Sequence, residues 1–237
     1  MIEKIKLENI LFLDIETVPE LESFADLDPE MQHLWDHKTQ YQRRDDFTAE
    51  EFYERAGIWA EFGKIICISV GYFNIKNDIR NFRVTSFFGE EVKILRDFSQ
   101  LLNNHFSSPQ HVLCGHNAKE FDVPFIARRC IIKEVPLPAK LNLVGKKPWE
   151  IPHLDTLEMW KFGDYKHFTS LKLLAKVLGI PSPKDDIDGS EVAAVYYKEN
   201  DIDRIVTYCE KDTLTVAQIF LRMRNEPLLI PEEVLSV

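Results

Sequence analysis

The chain has 237 residues, 45% of them hydrophobic, with 9 glycines and 12 prolines. That is material for one sizeable core, a single domain over 1–237 with an elaboration, and too little for two full domains. Its formal net charge of −10 speaks against a protein that coats duplex nucleic acid. No apolar run approaches membrane-spanning length, and the opening MIEKIKLENI lacks the regions of a signal peptide, so no membrane association is expected. Cys67, Cys114, Cys130 and Cys209 fall singly and without a CxxC, which predicts buried free thiols in a reducing, cytoplasmic compartment.

In chain order, the run from Ile10 to Ile15 reads as a buried strand, and Pro19 prevents its continuation as a central one. Residues 20–63 turn acidic, aromatic and helical. There Thr48 and Glu51 form a capping box ahead of Phe52, Ala56, Trp59 and Ala60, and the stretch reads as a helical insertion. Residues 64–73 and 79–88, rich in β-branched and aromatic residues, predict a hairpin. Ile94, Leu95, Phe98, Leu101 and Leu102 share one face of a helix over 90–104, and HVLCG (111–115) is a short buried strand. A helix follows over about 123–132, then a Pro/Lys-rich loop. HLDTLEMW (153–160) begins as a strand and turns helical, and SLKLLAKVLG (170–179) is a helix closed by Gly179. Helices over 189–197 and 201–223 complete the reading. The order predicts an α/β fold: three antiparallel strands plus two parallel ones in a mixed sheet flanked by helices.

Charge is unevenly spread. Residues 1–60 hold fifteen acidic residues against six basic ones, whereas Lys140 to Lys176 contains seven lysines and four acids. Those lysines either grip a strand locally or form an ordinary solvated face.

Three short motifs carry candidate chemistry. In NILFLDIETVP (9–19), Asp14 and Glu16 point the same way from a strand, where two carboxylates repel unless cations share them. The bland reading leaves Glu16 solvated, and a second DxE, Asp28 with Glu30, shows that the motif alone is weak. CGHNAKEFDVPF (114–125) follows a strand and opens a helix, the position where α/β sheets place ligands, with Asp122 there either functional or a first-turn acid. In YCEKD (208–212), Tyr208 and Asp212 share one helical face; YQRRD (41–45) repeats that spacing. HLWDH (33–37) sets His33 and His37 four apart without a third zinc ligand, and reads better as a solvated face. Asp155 is either a group near the site or a helix cap, and Lys184 either a phosphate contact or a surface lysine. No P-loop and no nucleophile elbow is present.

Taken in order, DIE, then N-x-x-x-FD, then Y-x-x-x-D resembles the three motifs of the DEDDy 3'-5' exonucleases of the ribonuclease-H-like superfamily. The likeness is to the proofreading domain of family-B DNA polymerases, as a free-standing relative. It runs from Leu11 to about Met223 and leaves residues 20–63 without a place. The resemblance implies that Asp14, Glu16, Asp122 and Asp212 hold two Mg²⁺ or Mn²⁺ ions. Asp14 would bridge them, Glu16 and Asp212 would hold the first, and Asp122 would support the second. Tyr208 would orient the attacking water, since a phenol titrating near 10 is a poor base at neutral pH. Asn117, Phe121 and Lys184 become substrate contacts, with Asn117 either shaping its loop or touching the terminal nucleotide. The implied reaction releases 5'-mononucleotides from the 3' ends of single-stranded or frayed nucleic acid. DNA is favoured over RNA, although the 2'-hydroxyl contacts that separate the two are not legible in a sequence. Two other readings stand beside it. One is a noncatalytic nuclease-fold module that binds nucleic acid or protein; the other is an endonuclease or transposase-like enzyme, which the tyrosine-spaced third motif disfavours.

Overall fold

The computed structural model describes residues 2–43, 46–77, 79–164, 168–181 and 187–237. Strand β1 (Ile10–Pro19) is followed by helices α1 (Pro29–Arg43) and α2 (Ala49–Phe52), and the hairpin β2 (Gly63–Lys76) and β3 (Ile79–Phe88) comes next. Helix α3 (Glu91–His105), strand β4 (Val112–Gly115), helix α4 (Asp122–Ile132), strand β5 (Leu154–Asp155) and helix α5 (Thr156–Lys161) form the middle of the chain. Helices α6 (Leu171–Val177), α7 (Val192–Ala194) and α8 (Ile202–Met223) precede a last strand, β6 (Val234–Ser236).

Among the described residues the strands form one sheet in the order β5-β4-β1-β2-β3-β6. β1, β2 and β3 are antiparallel, and β4 and β5 add in parallel beside β1. This is the mixed sheet the sequence predicts, with one addition: β6 pairs in parallel with the far edge at β3.

β1 is buried on both faces, and its alternation sorts the two core layers. Leu11, Leu13 and Ile15 pack with Ile94, Leu95 and Phe98 of α3 and with Ile126 of α4. Ile10 and Phe12 face the other way, toward Val216 and Phe220 of α8, and the Phe12 ring lies 5.7 Å from that of Phe220. Asp14 and Glu16 continue this second face, so strand periodicity alone aims them at α8. At the β1–β2 pairing the hydrogen-bond register shifts between Glu16 and Thr17, a bulge of the kind that re-aims side chains next to functional sites.

Residues 20–63 form a unit with its own apolar cluster. Trp35, fully buried on α1, meets the rings of Tyr53, Trp59 and Phe62 at 5.4, 5.3 and 5.1 Å, and its indole N–H donates to the Ala49 carbonyl at 2.8 Å. The predicted Thr48/Glu51 capping box is present at the start of α2. A 3₁₀ turn, Tyr53–Ile58, lies against the end of β1, where the Thr17 hydroxyl donates to the Gly57 carbonyl at 2.7 Å. A side chain at Gly57 would sit 3.1 Å from the Val18 backbone, tighter than ordinary contact, so glycine suits this close approach. Arg129 of α4, fully buried, locks the arrangement. Its guanidinium donates to both Glu91 carboxylate oxygens, at 2.8 and 2.6 Å, and to the Ala60 carbonyl at 2.8 Å.

One helix differs from expectation in extent. The 189–197 segment is one turn of α7 passing into a π-turn, Val195–Glu199, which ends at Asn200 in the left-handed region (φ 52°). α6 ends where expected: Gly179 takes φ +65°, and the Ile180 N–H reaches the Ala175 carbonyl at 3.0 Å, closing a Schellman motif. No helix among the described residues is long and apolar enough to cross a membrane.

Candidate active site: carboxylates between a strand and a helix

The site forms where β1, the start of α4 and the middle of α8 meet. Asp14 and Glu16 come from β1 and Asp122 from the first turn of α4; Tyr208, Cys209 and Asp212 lie on α8. Glu16 and Asp122 are buried, at 8% and 4% exposure, while Asp14, Tyr208 and Asp212 are half-buried. The motifs that were separately weak in sequence thus converge on one place.

The carboxylates strain against one another. Burial, then Glu16, Asp122 and Asp212, push the Asp14 carboxyl well above its ordinary range. Glu16 rises well above its range through burial, then Asp212, Cys67 and Asp122. Asp122 is pushed up to about 7 by burial, partly opposed by hydrogen bonds from its own backbone N–H and that of Ile15, with Asp155 raising it further. Such a cluster is costly without a cation to share.

Among the described residues, one group of three side chains could hold a metal: Asp14, Glu16 and Cys209, whose ligand atoms all lie within 4.8 Å of one another. Cys209 is not a natural ligand for a hard ion. Burial pushes its thiol well above the usual range, so it stays protonated and donates to the Asp14 carbonyl at 3.4 Å and carboxylate at 3.5 Å. Its effect is to orient Asp14. The oxygen donors are the set that suits Mg²⁺ or Mn²⁺. All four cysteines are buried and free, as expected. Nothing in the sequence singles out Cys209 except its place beside Tyr208.

Burial raises the Tyr208 hydroxyl above its ordinary value, with Asp212, Glu16 and Asp14 adding to the effect, and the hydroxyl hydrogen-bonds Asp212. It therefore remains a neutral donor across the accessible pH range. His33 and His37 stand exposed on α1, and no zinc cluster forms there among the described residues.

Asp155 resolves as a cap and a fastener. It N-caps α5 by accepting from the Leu157 N–H at 2.9 Å, and it also accepts from the backbone N–H groups of Asn117 and Lys119 at 2.9 and 3.0 Å. It thereby fixes the loop that presents Asp122. Asn117 takes φ +64° in that loop and lines a cavity of about 400 Å³ with Asp155. A side chain at Gly115 would meet the Ala118 Cβ at 2.4 Å, so the sharp exit from β4 requires glycine. Phe121 instead lines a separate cavity of about 610 Å³ together with Glu16. Lys184 lies outside the described residues.

A mixed sheet of this order, with Asp14 and Glu16 on its central strand β1 turned toward the long helix α8, is the ribonuclease-H-like fold. Residues 58–227 match the family described as a predicted 3'-5' exonuclease related to the exonuclease domain of PolB, and the chain belongs to it. That match holds Asp122, Tyr208 and Asp212; Asp14 and Glu16 precede it. No curated protein matches the chain. Among solved structures it is similar to the family B DNA polymerase of the hyperthermophilic archaeon Pyrobaculum calidifontis, with a TM-score of 0.52 and 17% identity over 90% of this chain. The chain spans 24% of that polymerase. It is also similar to the RNase domain of the yeast Pop2 protein, with a TM-score of 0.46 and 13% identity, over 99% of this chain and 84% of that one.

Proposed function

We propose that the chain acts as one exonuclease domain, with residues 20–63 as an insertion, and hydrolyses phosphodiester bonds from the 3' ends of single-stranded or frayed nucleic acid. DNA is the preferred substrate and 5'-mononucleotides are the product. The observation that carries this reading is the gathering of Asp14, Glu16, Asp122 and Asp212 in one place, where burial first, and then the neighbouring carboxylates, raise Asp14 and Glu16 well above their ordinary range. In this reading Asp14, Glu16, Asp122 and Asp212 would hold a pair of Mg²⁺ or Mn²⁺ ions. Bound there, the ions would activate the attacking water and stabilise the leaving 3'-oxygen. Tyr208, protonated and hydrogen-bonded to Asp212, positions the water by donating a hydrogen bond and removes no proton. Asn117 shapes the Asp122 loop, and Phe121 offers its ring to the strand end. The free, buried thiols fit a cytoplasmic setting.

The test is incubation of single strands of DNA and of RNA, labelled in the 3'-terminal nucleotide, with Mg²⁺, Mn²⁺ or a chelator. Release of labelled mononucleotide with either metal, faster from DNA and abolished by chelation, is expected. No release with either metal would contradict the reading.

A further inference from the structure

The helical unit between β1 and β2 reaches the site. Its 3₁₀ turn, Tyr53–Ile58, supplies Arg55 and Ile58 to the cavity of about 610 Å³ that Glu16 and Phe121 line. All but the last residue of this turn precede the family match, as Asp14 and Glu16 do. We propose that the turn is a substrate-binding element, and that Arg55 and Ile58 with Phe121 form a subsite for the terminal nucleoside of the strand. The inference rests on the exonuclease reading of the neighbouring carboxylates and adds to it the component that holds the nucleoside.

Four observations support it. The cavity adjoins Glu16 and has the volume of small-ligand sites, ample for one nucleotide. Ile58 is 55% exposed although large and apolar, and with Phe121 it gives the cavity apolar surface from two different elements, suited to the face of a base. Arg55 brings a cation to a wall that otherwise carries the carboxylates of Glu16 and Glu54, and among the described residues it makes no ion pair. Its guanidinium lies 5.2 Å from the centre of the Phe52 ring, a contact that favours this placement of the exposed side chain. The turn itself is fixed: Thr17, the residue after Glu16, bonds the Gly57 carbonyl, and the Trp35 cluster stands behind it. The subsite wall and the carboxylates are therefore set in one register by adjacent residues of β1.

The experiment is a calorimetric titration of dAMP, in the presence of Mn²⁺, into wild-type protein, Arg55→Ala, Ile58→Ala and the double variant. Lys38→Ala, on α1 of the same unit and paired with Glu61, is the control. Both probed residues are exposed, so folding should persist, and thermal denaturation checks it. The expected result is a dAMP affinity reduced about tenfold or more in the double variant, with Mn²⁺ affinity and the control unchanged. On a single strand the same variant should raise KM more than it lowers kcat. Wild-type dAMP affinity in the double variant, or no dAMP binding by wild type at millimolar concentration, would overturn the proposal. Wild type that binds dAMP yet cleaves no strand would sink the exonuclease reading and leave the subsite standing.

Discussion

Asp14 and Glu16 stand on the face of β1 that, two turns of the pleat earlier, buries Ile10 and Phe12 against α8. Carboxylates held there in the absence of metal bind protons more tightly in the folded chain than in the unfolded one. The sign of the pH dependence follows. Burial raises Asp122 from 3.8 in the unfolded chain to about 7 in the folded one, so its contribution to stability falls as pH rises between those values and then levels. In chelator, the melting temperature of wild type should decline across that window, with Asp14 and Glu16 adding in the same direction, and Asp122→Asn should make the decline shallower. Mn²⁺ at pH 8 should restore wild type by binding the folded state alone. A melting temperature that rises with pH in chelator would contradict the clustering. Tyr208 makes a graded claim. Tyr208→Phe keeps the ring and loses one hydrogen bond, so single-turnover cleavage should fall by roughly tenfold to a hundredfold, at or below the low end of proton-transfer effects. A variant without measurable activity would show that Tyr208 does more than position water.

At the scale of elements, the long periodic segments and the bounded apolar strands were legible because their patterns are local. β1, the β2–β3 hairpin, α3, α4 and α8 follow directly from period and caps. The sheet edge was not. β6 is three residues in a Pro- and Leu-rich tail, too short to carry an alternation, and only its pairing with β3 makes it a strand. The carboxylates were legible through their order in the chain, whereas Arg55 and Ile58 were not. Their meaning depends on a 3₁₀ turn docking on Thr17 some forty residues away, and no spacing encodes that contact. The docking also depends on Arg129, which joins Glu91 at the start of α3 to the Ala60 carbonyl just before β2. Arg129→Met should cost about 3–5 kcal/mol in denaturant unfolding, because Glu91 is left buried with the Ile65 N–H and, as its cation, only a more distant lysine. A loss below about 1 kcal/mol would show that the pair is dispensable.

For the whole molecule, the charge of −10 means that few phosphates can be neutralised at once. Binding of a single strand should depend weakly on salt, with a log–log slope of about −1.4 to −2.8 for two to four contacts. Not every lysine of the basic stretch is available, since Lys140 donates to the Ser108 and His111 carbonyls at 2.8 Å each. Combined alanine substitution of Lys146, Lys147, Lys161 and Lys172 should weaken binding more than four exposed lysines elsewhere. Equal losses would return these residues to an ordinary solvated face. The central claim is that the gathered carboxylates cut only from a 3' end. It is tested most directly by following a 5'-labelled single strand and a closed single-stranded circle in Mg²⁺, with wild type and with Asp14→Ala or Asp212→Ala. Wild type should shorten the labelled strand one nucleotide at a time from its 3' end and leave the circle whole, while either folded variant leaves both intact. A cut circle, or wild-type shortening by either variant, would contradict the account.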